Sequence, residues 1–151
     1  MQIYLAGALF SLAEINFNKD LAEAIRKYGY TVFLPQDECN KFAGPQISDN
    51  PFLIAEEIHK TCIAGIETSD LILAILENSD VDSGTCFEVG YAYGHGIPIL
   101  GLRTDFRSRA DDGGLNCMIS KSCEALCTGS SIQSLADVVH EWIVENNLIF
   151  I

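Results

Sequence analysis

Leu71-Ile-Leu-Ala-Ile-Leu76, followed after a short polar break by Asp82-Ser-Gly-Thr-Cys-Phe-Glu-Val-Gly-Tyr-Ala-Tyr-Gly-His-Gly96, is the stretch on which the fold turns. The first run is continuous, apolar and as long as a strand buried on both faces, the mark of a parallel sheet. The polar break after it is then a strand-to-helix loop at the carboxyl edge of the sheet, where α/β proteins hold ligands. Gly84 relaxes the turn, Thr85 is the expected helix N-cap, and Glu88 falls in the first helical turn. Two carboxylates, Asp82 and Glu88, are thereby placed at the mouth of a cleft. Thr85 and Glu88 also match a capping box, in which the glutamate only reaches back to the N-cap amide and has no chemical role.

Outward from this stretch, strand and helix signals alternate over the whole of 1–151, which predicts one α/β domain with a parallel sheet covered by helices on both faces. Strand one is expected at about Gln2 to Ala6. Ser11-Leu-Ala-Glu14 is a capping-box pattern opening a helix that stops at Gly29. Strand two, about Thr31 to Leu34, ends in Pro35-Gln36-Asp37, polar groups again at a carboxyl end. After an irregular stretch from Glu38 to Asp49, Asn50 and Pro51 start a helix with Ile54, Ile58, Cys62 and Ile63 on one face. Strand four is expected at about Pro98 to Leu102, and the long polar segment from Arg103 to Gly114 as a functional loop. A short helix near Leu115, a fifth strand at Glu124 to Cys127 and an amphipathic helix from Ser131 to Asn146, with Leu135, Val138, Val139, Trp142 and Ile143 inward, complete the chain. The apolar tail Leu148-Ile-Phe-Ile151 is expected to cover a neighbour or a subunit interface.

Composition narrows the partners. With 21 acidic and 9 basic residues the net charge is -12, which repels polynucleotides and anionic membrane surfaces. Only Arg103, Arg107 and Arg109 form a local cluster able to favour a phosphate. The six cysteines contain no Cys-x-x-Cys pair, so neither a zinc site nor a redox pair is expected, and inert thiols are the default. His59, His95 and His140 have no metal-ligand spacing. The start Met1-Gln-Ile-Tyr-Leu-Ala-Gly lacks a basic n-region and a long apolar h-region, which predicts a cytoplasmic, reduced protein. Gly7-Ala8 makes no Gly-x-Gly-x-x-Gly, so a nicotinamide dehydrogenase is excluded for want of its fingerprint.

Taken in order, Ile3-Tyr-Leu-Ala-Gly7, Leu34-Pro-Gln-Asp37, Ser69-Asp70, Asp82-Ser-Gly-Thr-x-x-Glu88-x-Gly90-Tyr-Ala92 and Leu115-Asn-x-Met118 resemble the nucleoside 2-deoxyribosyltransferases over nearly the whole chain. That resemblance implies a flavodoxin-like (Rossmann-like) three-layer sandwich, a five-stranded parallel sheet of order 2-1-3-4-5, and an active site shared across a homodimer or larger homo-oligomer. It places Glu88 as nucleophile and Tyr4 as the residue whose hydroxyl steadies it. Asp70 and Asp82 fall where aspartates handle base and sugar, Gln36 where the base is contacted, and Gly7 and Met118 among the substrate-binding positions. Asn116 corresponds to the asparagine that a neighbouring subunit lends to the 5′-hydroxyl end of the sugar. The implied substrates are a deoxyribonucleoside and a free nucleobase.

The residue types suit this chemistry on their own terms. Breaking an N-glycosidic bond develops an oxocarbenium-like charge, which a carboxylate beneath the anomeric carbon stabilises before forming a glycosyl ester. A second carboxyl group protonates the leaving base and later takes a proton from the incoming one. Asp70 is the first candidate for that acid and Asp82 shares the candidacy; the sequence does not separate them. No metal or organic cofactor is required. The alternatives are a deoxynucleoside 5′-monophosphate N-glycosidase, disfavoured by Asp82 where that branch resembles a serine, and a non-catalytic nucleotide-binding module on the same fold.

Overall fold

The computed structural model describes residues 1–42, 50–78, 80–105 and 115–148. Five strands, β1 (Gln2–Ala6), β2 (Thr31–Phe33), β3 (Leu71–Ile75), β4 (Ile99–Leu102) and β5 (Ala125–Cys127), make one sheet of order β2-β1-β3-β4-β5. Every pairing is parallel, so all strands end at one edge. Helices α1 (Leu12–Arg26), α2 (Pro35–Cys39), α3 (Pro51–Glu67), α4 (Ser83–Gly94), α5 (Cys117–Ser120) and α6 (Ile132–Glu145) connect and cover them, with a 3₁₀ turn at Asn40–Phe42. This is the flavodoxin-like order.

Strand alternation divides the core between the two faces of the sheet. Ile3 and Leu5 of β1 join Leu71, Leu73 and the inward faces of α1 and α6 in one layer. Tyr4 and Ala6 point the other way, into a second layer with Ile72, Ala74, Val89 and Ala92 beneath α4. Tyr4 is completely buried, and its position on the α4 side follows from the parity of its number in β1. The Phe33 ring stacks on it with centroids 5.2 Å apart. Gly65 of α3 admits that ring, since a Cβ there would stand 2.6 Å from it.

Local signals act as expected at several helix starts. Ser11 caps α1 in a full capping box with Glu14, and the Asn50 side chain accepts from Phe52 N with Pro51 behind it. Gly29 takes a φ of +88°, which leads the chain from α1 into β2. Three expectations are corrected. Glu38 and Cys39, expected to begin an irregular stretch, lie in the short helix α2 that Pro35-Gln36-Asp37 opens, because Pro at the first position favours a helical turn. The cap of α4 is Asp82, not Thr85, so the helix starts earlier. Val138 is only partly buried, Trp142 packs against the core without being enclosed, and Ala136 joins Leu135, Val139 and Ile143 inside. Part of the 103–114 segment, with Arg107 and Arg109, and the tail from 149 to 151 lie outside the described residues.

Candidate active site

One loop and two helices meet the first turns of α4. The β1–α1 loop brings Gly7 and Phe10, α2 brings Pro35 and Cys39, and α3 brings Ile58 and Cys62. Together with Asp82, Thr85 and Glu88 they enclose a mainly apolar cleft of about 270 Å³. Asp82 is fixed at its rim by capping: Oδ2 accepts from Thr85 N at 2.9 Å and from the Thr85 hydroxyl at 3.2 Å. With the cap at Asp82, Glu88 is no longer placed to reach back to it. The capping-box reading of Glu88 therefore fails.

Glu88 is instead engaged from below. The Tyr4 hydroxyl donates to its Oε1 at 2.5 Å, joining the middle of β1 to the second turn of α4. Burial pushes the carboxyl up from 4.5 to about 7; the Tyr4 bond draws it down, and the negative Asp82 nearby raises it further. Both states of Glu88 are thus populated near neutral pH. Burial first, and the Glu88 charge second, raise Tyr4 well above its ordinary range, so it stays a neutral donor. The arrangement is a carboxylate held in one orientation by a neutral phenol at an apolar cleft floor, with a second carboxylate at the rim. Such a carboxylate can attack, or electrostatically support, an electrophilic carbon bound above it.

Not every expected residue is brought here. Asp70 precedes β3, so it sits at the amino edge of the sheet, where its Oδ2 accepts from Gln2 N at 2.6 Å. A parallel sheet separates its two edges by the length of its strands, and the candidacy of Asp70 as acid is corrected on that ground. Gln36 is buried with its amide turned away: it accepts from Asn18 Nδ2 at 3.2 Å and donates to Ile15 O at 3.0 Å. It ties α2 to α1 and does not line the cleft. Asn116 caps α5 by accepting from Met118 N at 2.9 Å. Asn116 and Met118 line a separate hollow of about 290 Å³ with Asp80, Val81 and Cys86, apart from Glu88 within one chain. Arg103 donates to Leu76 O at 2.8 Å and so ties β4 to the end of β3.

Sequence reasoning missed the two thiols. Cys39 and Cys62 stand in the cleft wall with their sulfurs 3.8 Å apart. Their separation along the chain carries no motif, and only the helical position of Cys62 hinted that it faced inward. Among the described residues no group of His, Cys, Asp and Glu side chains is placed to hold a metal ion, and no helix is long and apolar enough to cross a membrane.

The fold is flavodoxin-like, with the cleft at the carboxyl edge of its sheet. The chain belongs to the nucleoside 2-deoxyribosyltransferase family, whose model matches residues 3–147. The structure of a 2-deoxyribosyltransferase from Bacillus psychrosaccharolyticus is similar with a TM-score of 0.73 at 22% identity, covering 91% of this chain and 91% of that one. The CMP N-glycosidase BcmB of Clostridium botulinum is similar with a TM-score of 0.59 at 18% identity, over 93% of this chain and 99% of that one. Over 95 residues the chain is 36% identical to an uncharacterized protein of Ureaplasma parvum, a match to 60% of this chain and 58% of that protein. The match thus spans under two thirds of that curated relative's length. Of these two solved structures, one is thus named a transferase and the other a glycosidase.

Proposed function

We propose that the protein exchanges the base of a 2′-deoxyribonucleoside, acting as a nucleoside 2-deoxyribosyltransferase by double displacement. The observation that carries this reading is the 2.5 Å pair of Tyr4 and Glu88 at the floor of the cleft. In the first displacement an ionised Glu88 oxygen bonds to the anomeric carbon as the bond to the base breaks, and the base leaves with a proton. In the second, a nitrogen of the incoming base displaces Glu88 and gives up its proton, so configuration is retained. With Asp70 at the far edge, Asp82 is the carboxyl group left in the cleft for proton transfer and for the sugar. Its cap bonds occupy Oδ2, and the proposal assigns Oδ1 to the substrate. Gly7 lets the sugar approach the β1–α1 backbone. Asn116 and Met118 act on the site of a second copy, which makes the working unit a homo-oligomer of the one domain.

Incubation with deoxyinosine and adenine tests this. Deoxyadenosine formed well above the rate of free deoxyribose supports exchange, and its absence refutes it. A second reading, hydrolysis of a deoxynucleoside 5′-monophosphate, draws support from the similarity to a CMP N-glycosidase. The engagement of Arg103 with Leu76 weighs against it, because that guanidinium is turned to the sheet. Release of guanine and deoxyribose 5-phosphate only from deoxyguanosine monophosphate selects the hydrolase.

A further inference from the structure

The cleft wall holds a chemistry that base exchange does not use. Cys39 is the last residue of α2 and Cys62 lies in the middle of α3; both are free thiols and partly buried. Their sulfurs are in contact at 3.8 Å, and a disulfide needs about 2.05 Å, so the bond asks the two sulfurs to approach by roughly another 1.8 Å. Both side chains line the same cleft as Glu88, whose carboxyl is held from below by Tyr4.

We propose that Cys39 and Cys62 form a thiol–disulfide site inside the cleft, which a small-molecule disulfide of the glutathione type converts to a cystine that draws α2 toward α3 beside Glu88 and silences it. The silencing rests on the reading of Glu88 as nucleophile; the formation of the cystine stands on the sulfur geometry alone. In the first step one cysteine, its proton passed to solvent, attacks a sulfur of oxidised glutathione, forms a mixed disulfide and expels a glutathione thiolate, which takes up a proton. The second cysteine then displaces the remaining glutathione in the same way. Two cysteine thiols are oxidised to one cystine and one glutathione disulfide is reduced to two thiols, with no net change in protons. Burial raises both cysteines above the ordinary thiol range, Cys39 to about 12. The attacking thiolate is scarce, and the exchange is followed to equilibrium.

The purified protein is equilibrated with oxidised glutathione or with dithiothreitol, digested under non-reducing conditions and weighed by mass spectrometry, while base exchange and base release from the monophosphate are assayed in parallel. The expected result is a peptide pair cross-linked through Cys39 and Cys62 in the oxidised sample. Activity falls with it by about 10²-fold, the loss that a displacement near 1 Å costs a catalytic group, and dithiothreitol restores it. In the double variant Cys39→Ala/Cys62→Ala the ratio of oxidised to reduced rate stays near one although the exposed Cys117 is still present. A mixed disulfide without the cross-link overturns the proposal whatever the reduced protein catalyses. A cross-link with unchanged rate overturns the silencing. Absence of both activities in the reduced protein refutes the functional reading and the silencing with it, while the peptide mass still decides the cystine.

Discussion

Replacing Tyr4 by Phe removes one hydroxyl and keeps the ring that packs under Phe33, so it isolates the bond to Glu88. That bond draws the Glu88 carboxyl down, to about 7, from where burial and Asp82 would otherwise leave it. A hydrogen bond to a charged group contributes roughly 1.5–3 kcal/mol, and one pKa unit is about 1.4 kcal/mol. Loss of the hydroxyl therefore moves Glu88 up by about one to two units. Because only ionised Glu88 attacks, the acidic limb of the kcat/KM profile for deoxyinosine and adenine is centred near neutrality in the parent and near 8 to 9, roughly, in the variant. At pH 6.5 the variant is then slower by roughly 10- to 100-fold, and the gap narrows as pH rises. A limb that stays in place or moves to lower pH, in a protein with an unchanged melting transition, would refute the assignment of Tyr4 as the donor that holds Glu88 ionised.

Glu88→Gln abolishes turnover, yet chemical denaturation finds it more stable than the parent at pH 8: the folded-state pKa of about 7 exceeds the ordinary 4.5, so the stability Glu88 gives by binding a proton is complete below about 4.5 and lost as pH rises through 7. The gain at pH 8 is on the order of 3 kcal/mol and vanishes by about pH 4. Asp70→Ala leaves kcat/KM within about twofold and lowers stability by about 1 kcal/mol, the worth of its exposed bond to Gln2 N, as the same denaturation curves and exchange assay report. Gly65→Ala drives a methyl group into the Phe33 ring and costs about 1–3 kcal/mol in thermal unfolding, with kcat lowered because Phe33 is pressed onto Tyr4. Mixing Glu88→Gln with Asn116→Ala protein, each inactive alone, restores about a quarter of parent activity if subunits share sites and assort freely into dimers; no recovery after subunit exchange refutes the shared site.

The layered fold is legible in the sequence because β3 is uninterrupted apolar sequence and because Ser11 and Asn50 are unambiguous caps. Tyr4 and Glu88 are legible for a related reason: strand parity sends Tyr4 to one face, and α4 follows a strand whose end must lie at the cleft. The features that escape depend on direction or on distance along the chain. Asp70 borders a strand, but its role turns on which end of that strand it marks, and that end faces away from the cleft. Around Asp82, Ser83 and Thr85 three cap-competent side chains compete within one turn, and local preference does not choose among them. Gln36 is expected to face the ligand, but Asn18 and Ile15 of α1 engage its amide, an arrangement visible only after packing. The contact of Cys39 with Cys62 arises from the crossing of α2 on α3, and no spacing rule encodes it.

The placement of Tyr4 has a consequence for changing this protein by selection or design. The walls of the cleft come from α2, α3 and the β1–α1 loop, where side chains can be exchanged piece by piece to accept a different base. Glu88, the proposed nucleophile, by contrast answers to a tyrosine wholly inside the molecule, on a strand flanked by two others. An insertion or deletion of one residue in β1 would turn that tyrosine to the opposite layer and leave a sheet with no reactive pair. Substrate range is therefore adjustable from outside, whereas reactivity is inherited with the central strand as a whole.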